Sequence, residues 1–134
     1  MTYLLDTSAI SALMRADARM AAWISSIAAD DRAITCSIVR GEVLFGIERL
    51  APGRRRTELE NKVARFFAAL PCEPVPASAG DQYARAKASQ QRRGLPLDEN
   101  DLWIAATTLA LGAILVSGDS DFRLIEELSV VCPL

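Results

Sequence analysis

The segment from residue 101 to residue 122 constrains the fold more than any other part of the chain. It reads DLWIAATTLALGAILVSGDSDF, which is an acid, a helical run, a glycine, a short apolar run and a second group of acids. Gly112 is typical of a helix C-terminus, and Ile114 to Val116 has the character of a buried strand. Because a short connection folds such a strand back along its helix, Asp101 and Asp119 are expected to lie close together.

Strands and helices alternate along the rest of the chain as well. Apolar runs that predict strands lie at residues 3–5, 33–36, 73–75, 114–116 and 130–132. Segments with helical spacing lie at residues 9–15, 18–29, 37–50, 57–70, 78–93, 101–111 and 122–128. We expect Ser37 to cap the third helix and Asp101 to open the sixth. The alternation predicts an α/β sandwich with a central, mainly parallel sheet of about five short strands and six or seven helices.

The composition fits one domain and limits its possible chemistry. A chain of 134 residues with 51% hydrophobic content is long enough to bury a single core. It contains no histidine, and its three cysteines lack CxxC spacing, which excludes Ser-His-Asp and Cys-His catalysis and argues against a typical zinc site. Any catalysis must therefore use carboxylates, hydroxyls, lysine, arginine or a metal ion.

The hydropathy pattern predicts a cytoplasmic protein without a membrane span. The longest apolar stretch, residues 104–116, is shorter than the roughly 20 residues that a membrane helix needs. The first residues contain no basic region, and Asp6 interrupts the apolar run there. No secretory signal is therefore expected.

Four acids occupy positions at which a carboxylate needs an explanation. Asp6 follows the first strand and Asp119 the fourth, at the sheet edge where open α/β folds bind ligands. Strands one and four are natural neighbours in such a sheet, which would bring these two acids together. Glu42 falls on the apolar face of its helix, where a charge is costly unless it is protonated, paired or bound to a cation. These acids and Asp101 also have structural interpretations, as helix caps, turn residues or ion-pair partners.

A cluster of carboxylates at one sheet edge predicts a divalent metal site. Two charges 4 Å apart repel by roughly 4 kcal/mol at an effective dielectric near 20, so a cation is expected between them. Oxygen ligands without histidine or thiolate suit Mg²⁺ or Mn²⁺. Such an ion binds phosphate oxygens and lowers the pKa of a bound water, so the predicted reaction class is metal-assisted phosphodiester hydrolysis.

Three segments together resemble the PIN-domain ribonucleases, and specifically the VapC-type toxins of bacterial and archaeal toxin–antitoxin pairs. They are LLDTSAIS near the N-terminus, IVRGEVLFGIERL around Glu42, and DLWIAATTLALGAILVSGDSDF. The resemblance covers nearly the whole chain and depends on the order and spacing of these short motifs. It implies a single three-layer α/β/α PIN-like domain over residues 1–134.

The resemblance also implies which residues form the site. The family's acidic metal site, which is its catalytic site, is matched by Asp6, Glu42, Asp101 and Asp119. Hydroxyl groups near it are matched by Thr7 or Ser8 and by Ser117, which replaces the usual threonine and keeps the hydroxyl. Asp98 and Asp121 either supplement the site or only cap a turn.

The function that the resemblance implies is endonucleolytic hydrolysis of RNA with Mg²⁺ or Mn²⁺, as the toxin of a type II toxin–antitoxin pair. It further implies homodimers with two acidic grooves, and inhibition by a small VapB-like antitoxin whose arginine-bearing tail enters the groove. Both one-metal and two-metal mechanisms are compatible with four acids. The alternative is a catalytically inactive PIN-like protein that binds RNA or acts as a regulatory module.

Two arginine-rich runs are candidate RNA contacts. Arg54, Arg55 and Arg56 precede the fourth predicted helix, and Arg92 and Arg93 end the fifth. Flexible arginine side chains of this kind can contact phosphates. Such a run more often forms part of the solvated surface without a binding role. The net charge of −2 does not oppose an RNA partner, because acids bound to metal would leave the remaining surface slightly basic.

Overall fold

The central sheet is parallel throughout. The computed structural model describes all residues from Met1 to Leu134. Its five strands are β1 (Thr2–Leu5), β2 (Arg32–Cys36), β3 (Cys72–Glu73), β4 (Ile114–Val116) and β5 (Val130–Val131). They lie in the order β3-β2-β1-β4-β5, and every neighbouring pair is parallel. The predicted α/β fold is confirmed, and β1 and β4 are neighbours in the middle of the sheet.

Six α-helices and one 3-10 helix connect the strands. They are α1 (Thr7–Met14), α2 (Ala18–Ser26), α3 (Ser37–Glu48), α4 (Arg54–Ala69), α5 (Ser78–Arg92), α6 (Glu99–Ala110) and the 3-10 helix Ser120–Leu124. The predicted number of helices is confirmed, although α4 begins at Arg54 rather than at Thr57. None of the helices combines the length and apolar character that a membrane crossing requires.

Two of the predicted helix starts are wrong. Ser37 is the first residue of α3, and the cap position before it is Cys36, whose side chain makes no capping hydrogen bond. The cap of α6 is Asp98, whose carboxylate accepts the backbone N–H of Asn100 at 3.2 Å. A carboxylate just before the helix reaches the free N–H groups of the first turn. Asp101 therefore lies inside the first turn and is available for another role.

Burial on both faces explains the apolar sequences of the strands. Leu4 pairs in register with Ile34 on one side and with Leu115 on the other, and none of the three is more than 2% exposed. Parallel strands covered by helices on both faces have this continuous apolar character. Gly112 follows α6 with a φ of +62°, a left-handed conformation that glycine adopts without strain. The chain can therefore turn back at once into β4.

Candidate active site

Two neighbouring strands bring Asp6 and Ser117 together at the edge of the sheet. Each residue directly follows its strand, and the last pair of the β1–β4 register is Leu5 with Val116. The N–H of Asp6 donates to the carbonyl of Val116 at 3.1 Å, and the hydroxyl of Ser117 donates to Asp6 Oδ2 at 2.5 Å. Parallel pairing thus joins two positions that are distant in sequence.

The carboxylate of Asp6 is held through both of its oxygens. Besides the bond from Ser117, its Oδ1 accepts from the hydroxyl of Ser8 at 2.7 Å and from the backbone N–H of Ala9 at 2.9 Å, so Asp6 also caps α1. The residue is only 4% exposed. Burial raises the pKa of this carboxyl, and the hydrogen bonds from Ser117 and Ser8 oppose that rise. One carboxylate therefore serves as a helix cap and as a fixed group of the site.

Ser8 and Ser117 also hold the turn that follows β4. The hydroxyl of Ser117 accepts the N–H of Asp119, and the hydroxyl of Ser8 accepts the N–H of Gly118, both at 2.9 Å. A Cβ atom at Gly118 would lie 2.7 Å from the Leu134 side chain, so a larger residue would have to displace the end of that side chain. The backbone of Asp119 is therefore positioned by hydroxyls from α1 and from the end of β4.

Glu42 reaches the same region from α3. Its side chain is half-buried, and its Oε1 accepts from the hydroxyl of Thr7 at 2.6 Å while its Oε2 accepts from the side-chain amide of Asn100 at 3.3 Å. A hydroxyl and an amide, rather than an arginine, thus satisfy this carboxylate. Sequence reasoning missed Asn100, whose only signal is its place beside Asp101 in the polar run before α6.

The neighbouring acids have their clearest effect on the pKa of Asp101. Burial raises the pKa of this carboxyl, and the negative charges of Asp119, Asp98, Glu42 and Asp6 raise it further, to about 6. All four candidate ligands, together with Asp98, are therefore close enough to share one electrostatic environment. A carboxyl whose pKa is raised by burial and by like charges is a recognised marker of functional sites.

The arrangement fits a hydrated divalent ion better than an ion enclosed by the protein. No three acidic or thiol side chains are gathered closely enough to hold a metal ion by themselves. Mg²⁺ usually keeps several waters and takes one or two carboxylates together with substrate phosphate oxygens. The donors in this region are all oxygen atoms, which suits Mg²⁺ or Mn²⁺.

Asp98 and Asp121 differ in their relation to this region. Asp98 caps α6 and adds negative charge near Asp101. Asp121 is exposed, and its backbone N–H donates to Asp119 Oδ1 at 2.9 Å, which caps the 3-10 helix. Of these two acids, Asp98 is the one placed to influence the other carboxylates.

The two arginine-rich runs are partly used within the chain. Arg56 pairs with Glu48 and Glu60, and Arg93 pairs with Glu126 and donates to the carbonyl of Leu124. The remaining members of both runs are exposed and form no ion pair, namely Arg54, Arg55 and Arg92. Within the two runs, these three are the arginines whose guanidinium groups have no acidic partner in the chain.

Replacing Ser117 by alanine should destabilise the protein. Ser117 is 1% exposed, and its loss leaves one oxygen of the buried Asp6 carboxylate without a donor. Such an unsatisfied group costs about 1–3 kcal/mol, so thermal unfolding should occur several degrees lower. Ser117→Thr keeps the hydroxyl and is the matched control. Equal melting temperatures for the two variants would contradict the role given to this hydrogen bond.

Asp101→Asn should stabilise the protein when divalent ions are chelated. Because the pKa of Asp101 is raised from 3.8 to about 6, the folded state keeps a proton that the unfolded chain has already released. The stabilising contribution of this carboxyl is therefore complete below about pH 4 and is lost as the pH rises to about 6. Above that pH the wild type retains a destabilising charge that the variant lacks.

The advantage of Asp101→Asn in EDTA should accordingly grow from about pH 4 to about pH 7. For a partly exposed group we expect about 1 kcal/mol, or a few degrees in melting temperature. Melting curves of both proteins at several pH values measure this difference. A difference that stays constant over the range would contradict the crowding of negative charge around Asp101.

Comparison with known proteins finds that this chain is similar to a PIN-domain family model and to VapC ribonucleases. A family model described as the PIN domain matches residues 3–128. Ribonuclease VapC1 of Haemophilus influenzae (strain R2866) is 29% identical, over 96% of this chain and 95% of its own length. VapC ribonuclease Y4jK of Sinorhizobium fredii is 30% identical, over 87% of this chain and 86% of its own length.

Solved structures share the fold at lower sequence identity. VapBC2 from Rickettsia felis, bound to a DNA fragment from its promoter, matches with a TM-score of 0.90 at 22% identity and covers 98% of both chains. VapBC-1 from nontypeable Haemophilus influenzae matches with a TM-score of 0.89 at 23% identity, over 99% of this chain and 98% of that one. The fold of this chain is therefore the one found in those complexes.

Proposed function

This chain belongs to the PIN domain family, and from that premise we propose that it is a ribonuclease that cuts RNA internally, as the toxin of a type II toxin–antitoxin pair. The observation that carries the proposal is the group of acids whose charges act on Asp101 at the ligand-binding edge of the sheet. The nearly full-length matches to VapC ribonucleases support RNA as the substrate.

The proposed metal site consists of Asp6, Glu42, Asp101 and Asp119, of which one or two bind the ion directly and the others act through the waters that it keeps. A Mg²⁺ or Mn²⁺ ion held by these residues would supply neutralisation of phosphate charge and a bound water of lowered pKa. Side chains of the protein hold two of these carboxylates in fixed orientations. Ser8 and Ser117 hold both oxygens of Asp6, and Thr7 and Asn100 hold both oxygens of Glu42. Carboxylates fixed in advance need little rearrangement during the reaction, which favours catalysis.

The proposed partners are a small VapB-like antitoxin and a second copy of this chain, in the cytoplasm. The VapBC complexes that share this fold support the antitoxin. A group of acids with incomplete charge compensation attracts a guanidinium group, which binds carboxylates in a bidentate manner. An antitoxin segment that carries arginine would therefore compete with the divalent ion for the same oxygen atoms.

Mapping of RNA ends tests the proposed activity. Purified protein free of antitoxin is incubated with total RNA and Mg²⁺, and new ends are identified by sequencing. We expect internal cuts that recur at defined positions with the wild type and are absent with Asp101→Asn. Binding of RNA in Mg²⁺ without any new ends would overturn the nuclease and favour the inactive, RNA-binding module.

A further inference from the structure

Phe45 exposes an aromatic ring in the groove that also contains Glu42, one of the candidate metal ligands. It is 67% exposed, and Met1 is the one large apolar residue with a higher value. Phe45 lies one helical turn after Glu42 on α3. Arg49, which caps the C-terminus of α3 in a helical backbone conformation, lies one turn after Phe45, so the three side chains share one stripe. A single exposed apolar side chain needs no explanation by itself, and the role of Phe45 therefore depends on its surroundings.

The stripe forms one wall of a groove of about 580 Å³. Thr7 and Asn100 also line this groove, and they are the residues that hold the carboxylate of Glu42. The groove consequently contains one of the candidate metal ligands, Glu42. Among its nine lining residues only Ile38 and Phe45 are hydrophobic, which is too little apolar surface for the apolar face of a partner helix.

Arg49 provides an unpaired positive charge in the same groove. It is exposed and takes part in none of the ion pairs of the chain. A guanidinium group suits phosphate oxygens, and an exposed aromatic ring suits the face of an unstacked base. An arginine and an aromatic ring one turn apart therefore have the chemistry and the spacing to contact one nucleotide.

We propose that this groove binds a nucleotide of single-stranded RNA next to the scissile phosphate, with its base stacked on Phe45 and a phosphate near Arg49. The inference rests on the proposed ribonuclease function and adds a subsite to it. Stacking accepts every base, because each has a π face. The subsite therefore selects for an unpaired nucleotide at this position rather than for one particular base.

Kinetics of Phe45 variants test the subsite. With a short single-stranded RNA centred on a mapped cut, Phe45→Ala should raise KM about 5- to 150-fold, the range expected for loss of one base stack, and leave kcat nearly unchanged. Phe45→Tyr keeps the ring and should remain close to the wild type. Leu44→Ala is the matched control, because Leu44 is exposed and lines a different groove with Arg40 and Phe67.

An abasic scan identifies the stacked base. Removing one base at a time, with every phosphate kept, should raise KM of the wild type at the stacked position and have almost no further effect in Phe45→Ala. Independent effects at every position would overturn the subsite while leaving the nuclease intact. A change of oligomeric state in Phe45→Ala, with unchanged KM, would instead assign Phe45 to a contact between copies. Absence of cleavage by the wild type would overturn the ribonuclease function and the subsite with it.

Discussion

RNA cleavage by Asp101→Asn and by Asp6→Asn is expected to fall at least about 100-fold below that of the wild type. Loss of an outer hydrogen-bond partner of a metal ligand already costs about 10- to 100-fold, and these changes remove the charge of a proposed ligand itself. Asparagine has nearly the same shape as aspartate and keeps one acceptor oxygen. In Asp6→Asn that oxygen can still accept from Ala9 and cap α1.

Asp81→Asn is the matched control for the charge change. Asp81 is exposed in the first turn of α5, as Asp101 lies in the first turn of α6. We expect Asp81→Asn to cleave RNA like the wild type, and melting curves should show that all variants are folded. Near-normal cleavage by both Asp6→Asn and Asp101→Asn would remove these two residues from the active site.

Excess EDTA should lower RNA cleavage to background, and Mg²⁺ or Mn²⁺ should restore it. The acids around Asp101 repel one another, so an ion that binds there should also stabilise the folded state. At a free Mg²⁺ concentration about 100 times Kd, the expected gain is about 2.7 kcal/mol. The melting temperature of the wild type should therefore rise with Mg²⁺, whereas that of Asp101→Asn should rise much less.

A monovalent salt at matched ionic strength separates specific binding from screening, because screening acts on all exposed charges. Two results would contradict the metal-dependent mechanism. One is cleavage that continues in excess EDTA, and the other is an equal rise in melting temperature for the wild type and Asp101→Asn. Either result would remove the divalent ion from the role proposed for these acids.

The fold could be predicted because its strongest signals are local. Gly112 separates α6 from β4 in the sequence as it does in the structure, and a continuous apolar run such as Leu4-Leu5 indicates a strand that is covered on both faces. The rule that parallel strands bind a ligand at their carboxyl ends then predicts that Asp6 and Asp119, which follow β1 and β4, lie at one edge. These inferences need only the order of the elements along the chain.

The hydrogen bonds inside the candidate site could not be predicted in the same way. Thr7 and Ser8 are adjacent, yet Thr7 bonds to Glu42 on α3 and Ser8 bonds to Asp6, because successive side chains on a helix point about 100° apart. Asn100 meets Glu42 only through the packing of α6 beside α3. Side-chain contacts between elements depend on tertiary packing, which the pattern of one segment does not contain.

The strand order also determines how the protein assembles during its synthesis. β1 lies between β2 and β4, but β4 follows α6 late in the chain, and a ribosome releases the N-terminal part first. Until β4 has been released, β1 is an edge strand, and Asp6 has neither Ser117 nor Asp101 beside it. The grouped carboxylates can therefore come together only after the ribosome has released α6 and β4, well after β1 and β2.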